Sequence, residues 1–318
     1  MHELPQQLAN GLILGAMYGL IAIGYTMVYG IVQLINFAHG EIFMVGGFGA
    51  LTVHLALPDG TALLLALPLM ILGGIAAAVA IAVAAERFAY RPLRGAPRLA
   101  PLITAIGLSI ALQQAVWKWY PDAKKARVFP QFKGESLKIL GATVQRGEVF
   151  LLIAAPLCML ALGLFVARTR TGRGMQATAQ DPDTAKLMGI NTDRIIVIAF
   201  AIGATFAAVA AVAAVAAVAA VAHGLKYGQV DFRMGFITGL KAFTAAVLGG
   251  IGNIYGAMLG GVVLGVAEAL ATGYIEEIPG MSQFGGGSWK DVWAFVLLIL
   301  VLLLRPQGLL GERVADRA

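Results

Sequence analysis

Apolar residues gather in long runs along this chain, separated by short polar stretches. The runs fall at about 8–30, 41–57, 62–85, 99–119, 149–168, 195–222, 236–250, 252–272 and 291–305. A helix needs about 20 apolar residues to cross the hydrocarbon of a bilayer, and most of these runs approach or exceed that length. The stretch 195–222 carries no charge on any face, whereas a buried helix of a soluble protein keeps a polar stripe. The pattern predicts an all-α, polytopic integral membrane protein with eight or nine transmembrane helices. The two shortest runs, 41–57 and 236–250, contain glycines and are expected to be partial or re-entrant.

Composition agrees with this reading. Of 318 residues, 59% are hydrophobic and 13% charged, against about 25% charged in a soluble domain. A lone cysteine, Cys158, cannot form an internal disulfide and is expected to behave as a small hydrophobe. The opening Met-His-Glu-Leu-Pro-Gln-Gln lacks a basic region, so the first run reads as a retained span. The formal charge of +6 lies between the apolar runs without interleaved aromatic residues. That suits membrane flanks rather than nucleic acid.

Segments 86–98, 168–194 and 305–318 hold four, five and three Lys/Arg; segments 118–148, 223–234 and 272–290 hold seven, two and one. The bias is small, and the character of 168–194 decides the orientation: the first set is assigned to the cytoplasm. Nine spans then put the amino terminus outside and the carboxyl terminus inside. The extramembrane loop 118–148 is expected to hold a hairpin around Gly141, with a second turn at Arg146-Gly147. Residues 207–221 are five Ala-Ala-Val triplets, a helical, low-complexity tract whose valines wind around the helix and mark no face. A span over 195–222 would be about 42 Å long against about 30 Å of hydrocarbon, so it must tilt, kink or protrude.

Asn36, His39 and Glu41 lie between the first two runs. Polar groups at membrane depth line a cavity or pair with one another, but an ordinary interfacial loop reads equally well. Lys241 and Glu268 fall inside apolar runs, as functional groups or as snorkelling side chains near a span end. The glycine-bearing segments 36–49 and 239–253, the second with Lys241, Thr244 and Asn253, are candidates for a translocation path, with tight helix packing as the alternative. Gly11, Gly15 and Gly19 recur every fourth residue, as do Gly252, Gly256 and Gly260, with Gly261 and Gly265 as a further pair. This spacing is read as a packing stripe.

Within 169–194, Asp181 suits an N-cap, Pro182 the first helical position and Gly189 a left-handed end. The result is a short helix with Asp183 and Thr184 in its first turn, displaying Ala185, Leu187, Met188 and Ile190. A short apolar face on a polar loop invites a protein partner, unless it packs on its own neighbours. No catalytic constellation appears. There is no Gly-Lys dipeptide and hence no P-loop, no Gly-x-Ser-x-Gly, and no metal spacing among His2, His39, His54 and His223. The chain is expected to be no enzyme and to bind no cofactor or metal itself.

Four stretches carry a family resemblance. They are 11–49, ending in Asn36-Phe-Ala-His-Gly-Glu41; Arg91-Pro-Leu-Arg-Gly-Ala-Pro-Arg-Leu-Ala-Pro-Leu-Ile-Thr-Ala-Ile-Gly107; Gly239-Leu-Lys-Ala-Phe-Thr-Ala-Ala-Val-Leu-Gly-Gly-Ile-Gly-Asn253; and Leu304-Arg-Pro-Gln-Gly-Leu-Leu-Gly-Glu-Arg313. Together they resemble permeases of the branched-chain amino acid ABC transporter family, of the LivH rather than the larger LivM type. The resemblance implies an ABC importer permease fold over 1–318. It implies a membrane-spanning subunit of an ATP-driven importer of branched-chain amino acids in the bacterial inner membrane. It also implies a LivM-type second permease, two ATP-binding subunits that carry ATP and Mg, and a periplasmic amino-acid-binding protein as partners. Asp183-Thr-Ala-Lys-Leu-Met-Gly189 is similar to the Glu-Ala-Ala-x-x-x-Gly loop by which ABC permeases dock on their ATPase. Asp181, Asp183, Thr184, Ala185, Leu187, Met188, Gly189 and Ile190 thus become the ATPase-coupling set. Import of urea or short amides, or proton-coupled transport through Glu41, His39 or Glu268, is the alternative. The sixth span departs from the family by about three extra Ala-Ala-Val triplets, roughly 13 Å of helix, so its packing is expected to be altered or the tract to bulge.

Overall fold

A computed structural model describes residues 4–58, 61, 63–97, 99–121, 127–128, 137–139, 141–217, 229–280, 282–284 and 289–311. Helices dominate: α1 (Leu4–Val32), α2 (His39–Ala56), α3 (Leu63–Ala85), α4 (Leu99–Trp119), α5 (Arg146–Arg168), α6 (Arg170–Gln180), α7 (Pro182–Leu187), α8 (Thr192–Ala217), α9 (Met234–Gly249), α10 (Ile254–Tyr274) and α11 (Lys290–Leu304). Short strands β1 (Arg127–Val128), β2 (Leu137–Ile139), β3 (Ala142–Val144) and β4 (Gln229–Val230) form two antiparallel pairs, β1 with β4 and β2 with β3. Among the described residues, six segments are long and apolar enough to cross a bilayer: Leu4–Val32, Leu65–Leu93, Leu99–Trp119, Gly147–Arg168, Thr192–Ala213 and Ile254–Tyr274.

The centre of the bundle is α1. It is apolar all round, which is the composition of a helix with no face left for solvent, and it is buried almost continuously from Gly11 to Val28. α10, α8, α9 and α5 surround it, while α2 packs against α3, α8 and α9. α4 and α11 lie at the periphery, with Ile103, Ile106 and Ile110 of one and Ile299, Leu303 and Leu304 of the other exposed.

Glycine decides the closest contacts. A Cβ added to Gly11 would stand 2.6 Å from Val266 Cα, one on Gly15 2.6 Å from Val262 Cα, and one on Gly261 2.5 Å from Gly19 Cα. The backbones of α1 and α10 therefore touch, as a small-residue stripe allows in lipid. Gly256 and Gly260 face α9 instead, where a Cβ on Gly260 would stand 2.6 Å from Gly249 N. The expected stripe Gly252–Gly256–Gly260 needs correction at its first member. Gly252 lies in the turn between α9 and α10 with φ +99° and open space beside it. Spacing alone cannot separate a packing glycine from one required for a left-handed turn.

The expectation of broken helices also needs correction. α2 and α9 are each continuous through their glycines. A helical glycine costs about 1 kcal/mol relative to alanine, which close packing offsets here: a Cβ on Gly239 of α9 would stand 2.7 Å from Gly40 Cα of α2. Of the two turn signals in 118–148, Gly141 does turn the β2–β3 hairpin at φ +87°. Arg146-Gly147 instead opens α5, whose Glu148 carboxylate accepts from Gln145 N at 2.7 Å.

Connections group by side. The β1–β4 pair joins the 118–148 loop to the segment before α9, and Gln6 at the start of α1 bonds Thr143 of β3 (N to Oε1, 2.8 Å). On the opposite face Arg94, after α3, is paired with Asp193 at the start of α8. The Ala-Ala-Val tract runs within α8 as far as Ala217, while 218–221 lie outside the described residues. Ala207, Ala208, Ala210, Ala211, Val212 and Ala213 are all fully buried. A Cβ on Gly46 would stand 2.8 Å from Ala208 Cα, so this stretch is a flat surface on which α2 rests.

Candidate functional site

Most of the polar residues singled out in the sequence fall at two buried places in the bundle and on one exposed loop. The first buried place is the start of α2. Asn36 Oδ1 accepts from Ala38 N (3.1 Å) and from the Tyr90 hydroxyl (2.6 Å), holding the connector after α1 against the segment after α3. His39 and Glu41 follow in the first turn of α2. All three side chains are buried, Glu41 with no exposed surface at all, so the interfacial-loop reading is corrected. His39 stands edge-on to Tyr25 at 4.7 Å between ring centroids and is lodged against Gly24 and Gly203. Glu41 Oε1 accepts from Ser109 Oγ (3.0 Å) and Gln113 Nε2 (2.7 Å), both on α4. Its Oε2, against Gly235, has no hydrogen-bond partner among the described residues, nor have Thr26 Oγ1, Asn36 Nδ2 and His39 Nε2. Beside this cluster Tyr25, Tyr29, Asn36 and Phe243 line a cavity of about 10 Å³, room for about one water.

The second buried place is centred on Lys241 of α9, 1% exposed. Its Nζ lies 2.7 Å from Glu268 Oε1 of α10 and 2.6 Å from Asp291 Oδ1 of α11. The Tyr18 hydroxyl of α1 donates to Glu268 Oε2 at 3.1 Å. Lys241 and Glu268 do not snorkel; they form an ion cluster that joins four helices. Thr244, one turn after Lys241, is buried and donates to Leu240 O at 2.9 Å. Asn253 is apart from both places. Its Oδ1 caps α10 by accepting from Gly256 N (3.0 Å), and its Nδ2 donates to Leu310 O (3.0 Å). The six residues expected along one path therefore fall in separate places: Asn36, His39 and Glu41 together, Lys241 in the ion cluster, Thr244 just beyond it and Asn253 at the α9–α10 turn.

The exposed loop carries α7. Asp181 Oδ1 accepts from Asp183 N (2.9 Å) and Thr184 N (3.1 Å), and the Thr184 hydroxyl donates to Oδ2. That hydroxyl, then the two backbone N–H groups, holds the Asp181 carboxyl below the usual aspartate range. Lys186 pairs with Asp183 at 3.1 Å, and Gly189 ends the turn at φ +81°. Leu187 and Met188 are 87% and 78% exposed, whereas Ala185 is buried and Ile190 half-buried against α6 and α8. The expected four-residue display is corrected to two. At six residues the helix is under two turns long, and Ala185 and Ile190 lie on the side it rests on.

Sequence reasoning missed the partners. Ser109 and Gln113 stand four apart in an apolar run, a polar pair on one helix face that was open to notice. Asp291 opens the last run. Glu86 gave no signal: it is fully buried, begins a π-helical turn at Glu86–Tyr90, and binds Arg91 (Nη2 to Oε2, 3.1 Å) and Arg94, the residue that also holds Asp193.

Residues 7–302 match the family described as branched-chain amino acid transport system / permease component. The chain belongs to this family. It is 47% identical over 315 residues to the high-affinity branched-chain amino acid transport system permease protein BraD of Pseudomonas aeruginosa, covering 96% of this chain and 95% of that one. It is 45% identical to LivH of Salmonella typhimurium and 43% identical to LivH of Escherichia coli, each named a permease protein of the same kind of system, with the same coverage. The region that defines the branched-chain amino acid permease family takes in both buried clusters and α7. The chain is thus a multi-pass membrane permease, and the residues that hold its helices together are those of the family's own domain.

Proposed function

We propose that the chain is the membrane-spanning subunit of an ATP-driven importer of branched-chain amino acids in the bacterial inner membrane. The observation that carries this is the match to the permease family over 7–302 with 43–47% identity to BraD and LivH proteins. In this reading α2, α9 and α11 cross the membrane in addition to the six long segments, giving nine passes. At about 27, 24 and 22 Å they are short for about 30 Å of hydrocarbon, a mismatch that local thinning absorbs. Five passes, α1 to α5, separate Gln6 from α7 and so place them on opposite sides; with the α7 loop assigned to the cytoplasm, Gln6 and the β2–β3 hairpin lie outside.

The exposed Leu187 and Met188 of α7 are then the contact for an ATPase subunit that binds ATP and Mg. α7 is capped at its start by Asp181 and leads within four residues into α8, whose Asp193 is joined through Arg94 to Glu86 at the end of α3, so a push on α7 reaches α8 and, through that chain, α3. A periplasmic binding protein delivers the amino acid, and a second, LivM-type permease completes the pore. The weakly polar start of α2, next to Tyr25 and Phe243, suits the passage of a hydrophobic cargo whose selection lies in the binding protein.

The test is uptake of leucine into proteoliposomes that hold this chain, its second permease and both ATPases, with binding protein outside. Uptake should require ATP inside the partner-accessible compartment, survive a protonophore and be indifferent to excess urea. Uptake without ATP that a protonophore abolishes would sink the proposal. Urea competition would keep the machine and change the cargo.

A further inference from the structure

The loop that carries α7 also borders a groove that the transport reading leaves unused. Arg170, Arg173 and Arg194 rim it, and Ile190, Ile195 and Ile198 form its floor, around a volume of about 700 Å³. All three arginines are exposed, and the ion pairs among the described residues leave each of them without a carboxylate. The half-buried Arg94 nearby does hold a carboxylate, Asp193, so three guanidinium groups around one groove with no carboxylate among the described residues call for an anion.

The level of the groove narrows the anion. The crossing segment of α5 ends at Arg168 and that of α8 begins at Thr192, so the groove, lined by α6 and the first turns of α8, lies at the level where both spans leave the hydrocarbon. Ile198 stands about 9 Å further along α8 than Thr192, toward the bilayer interior. The arginines therefore sit at headgroup depth, and the apolar floor descends from them toward the acyl chains. A free phosphate has no use for such a floor, and an acidic protein segment has no use for one that slopes into lipid. We propose that the groove binds an anionic phospholipid, its phosphate among Arg170, Arg173 and Arg194 and its first acyl methylenes on Ile195 and Ile198. The inference needs α5 and α8 to cross the membrane, and it depends neither on the cargo nor on which face is cytoplasmic. A lipid held there bridges α6 to α8 at the foot of α7, so bilayer charge would stiffen the base of that helix.

The test is native mass spectrometry of the full-length chain in mild detergent, titrated with phosphatidylglycerol and, separately, with phosphatidylcholine of the same chain length. Phosphatidylglycerol should occupy the chain at concentrations where phosphatidylcholine does not. R170Q/R173Q/R194Q should weaken it about 100-fold, roughly 5-fold per arginine, while R170K/R173K/R194K should keep most of the binding. Equal occupancy by the two lipids, or unchanged phosphatidylglycerol binding in the glutamine variant, overturns the proposal. So does a glutamine variant that binds phosphatidylglycerol normally but no longer co-purifies with its ATPases, which would make the groove a protein dock. If the glutamine variant fails to fold, the wild-type chain decides: about 1 M salt should release the lipid without unfolding the protein, and retention at that salt overturns the proposal.

Discussion

Glu41 and Glu268 are two carboxyl groups buried in neighbouring parts of one bundle, held in opposite ways. Glu41 accepts from neutral donors only, Ser109 and Gln113, and one of its oxygens has no partner among the described residues. Glu268 faces a cation, Lys241, and a phenol, Tyr18. The sites also differ in what they join. The Glu268 cluster fastens α1, α9, α10 and α11, whereas Glu41 links α2 to the peripheral α4, which otherwise meets the bundle mainly at the π-helical turn. A charge pair inside a membrane is tolerable only while both members stay, so the Glu268 site behaves as a brace. A contact built from neutral donors loses less when it opens, so the Glu41 site is a place where a helix can come away.

The largest effect should come from removing the cation. Lys241→Met leaves Glu268 and Asp291 facing each other and should cost about 3–5 kcal/mol, the scale for a broken buried pair. Thermal unfolding in detergent reads it, and adding Glu268→Gln should recover part of the loss. A Lys241→Met protein that melts with the wild type means there is no brace. Next in size is the contrast itself. Glu268→Gln should cost about 1.5–3 kcal/mol, because a charge-assisted bond is lost. Glu41→Gln should stay under about 1 kcal/mol, because the amide oxygen accepts from the same two donors. Equal losses would erase the distinction. Between those two values, Ser109→Ala with Gln113→Leu should cost about 1–2 kcal/mol and speed amide exchange across 99–119 while leaving α10 unchanged. Faster exchange in α10 instead would mean the two sites are one cooperative unit.

The smallest effect on the whole fold belongs to a third carboxylate, Asp181, which stands in water. Its native carboxyl titrates below the ordinary aspartate range. The cap is therefore fully present above the unfolded value, about 3.9, and is lost only as pH falls through the lower native value. Between pH 5 and 8 α7 should not respond to pH. Asp181→Ala should raise exchange in 182–188 and reduce ATP-driven uptake with no change in melting temperature, and Asp181→Asn should restore both. Unchanged exchange in the alanine variant would mean that α7 does not depend on its cap.

The contrast also marks what a sequence can disclose. Long apolar runs located α1, α3, α4, α5, α10 and the start of α8 within a few residues, because burial in lipid leaves its period-free signature in one segment at a time. The limits of α7 and the turn at Gly141 were legible for the same local reason: a cap, a proline and a left-handed glycine act within four residues. The partners were not legible. Ser109 and Gln113 lie 68 and 72 residues from Glu41, and Glu268 lies 27 from Lys241. Nothing local tells a polar residue which of several helices will stand opposite. Gly252 shows the same limit from the other side, since a fourfold spacing placed it in a stripe that its own backbone leaves. Fully buried Glu86 is the extreme case, for a carboxylate at the end of a span looks like any membrane flank until the chain folds Arg91 and Arg94 onto it.

The touching backbones of α1 and α10 have a consequence for the making of the protein. The helix most enclosed in the bundle is made before the other described helices, and the helix that lies flush against it begins 250 residues later, from Leu4 to Ile254. On a ribosome adding about 5–20 residues per second, the wait is roughly 12–50 s. Throughout it, the stripe of Gly11, Gly15 and Gly19 has only lipid, or some attendant insertase, to lie against. Its apolar character makes that wait harmless in a way that a charged partner face would not be. The ion cluster, by contrast, forms entirely among late arrivals apart from Tyr18: Lys241, Glu268 and Asp291 leave the ribosome within 50 residues of each other, so each buried charge has the least possible time alone.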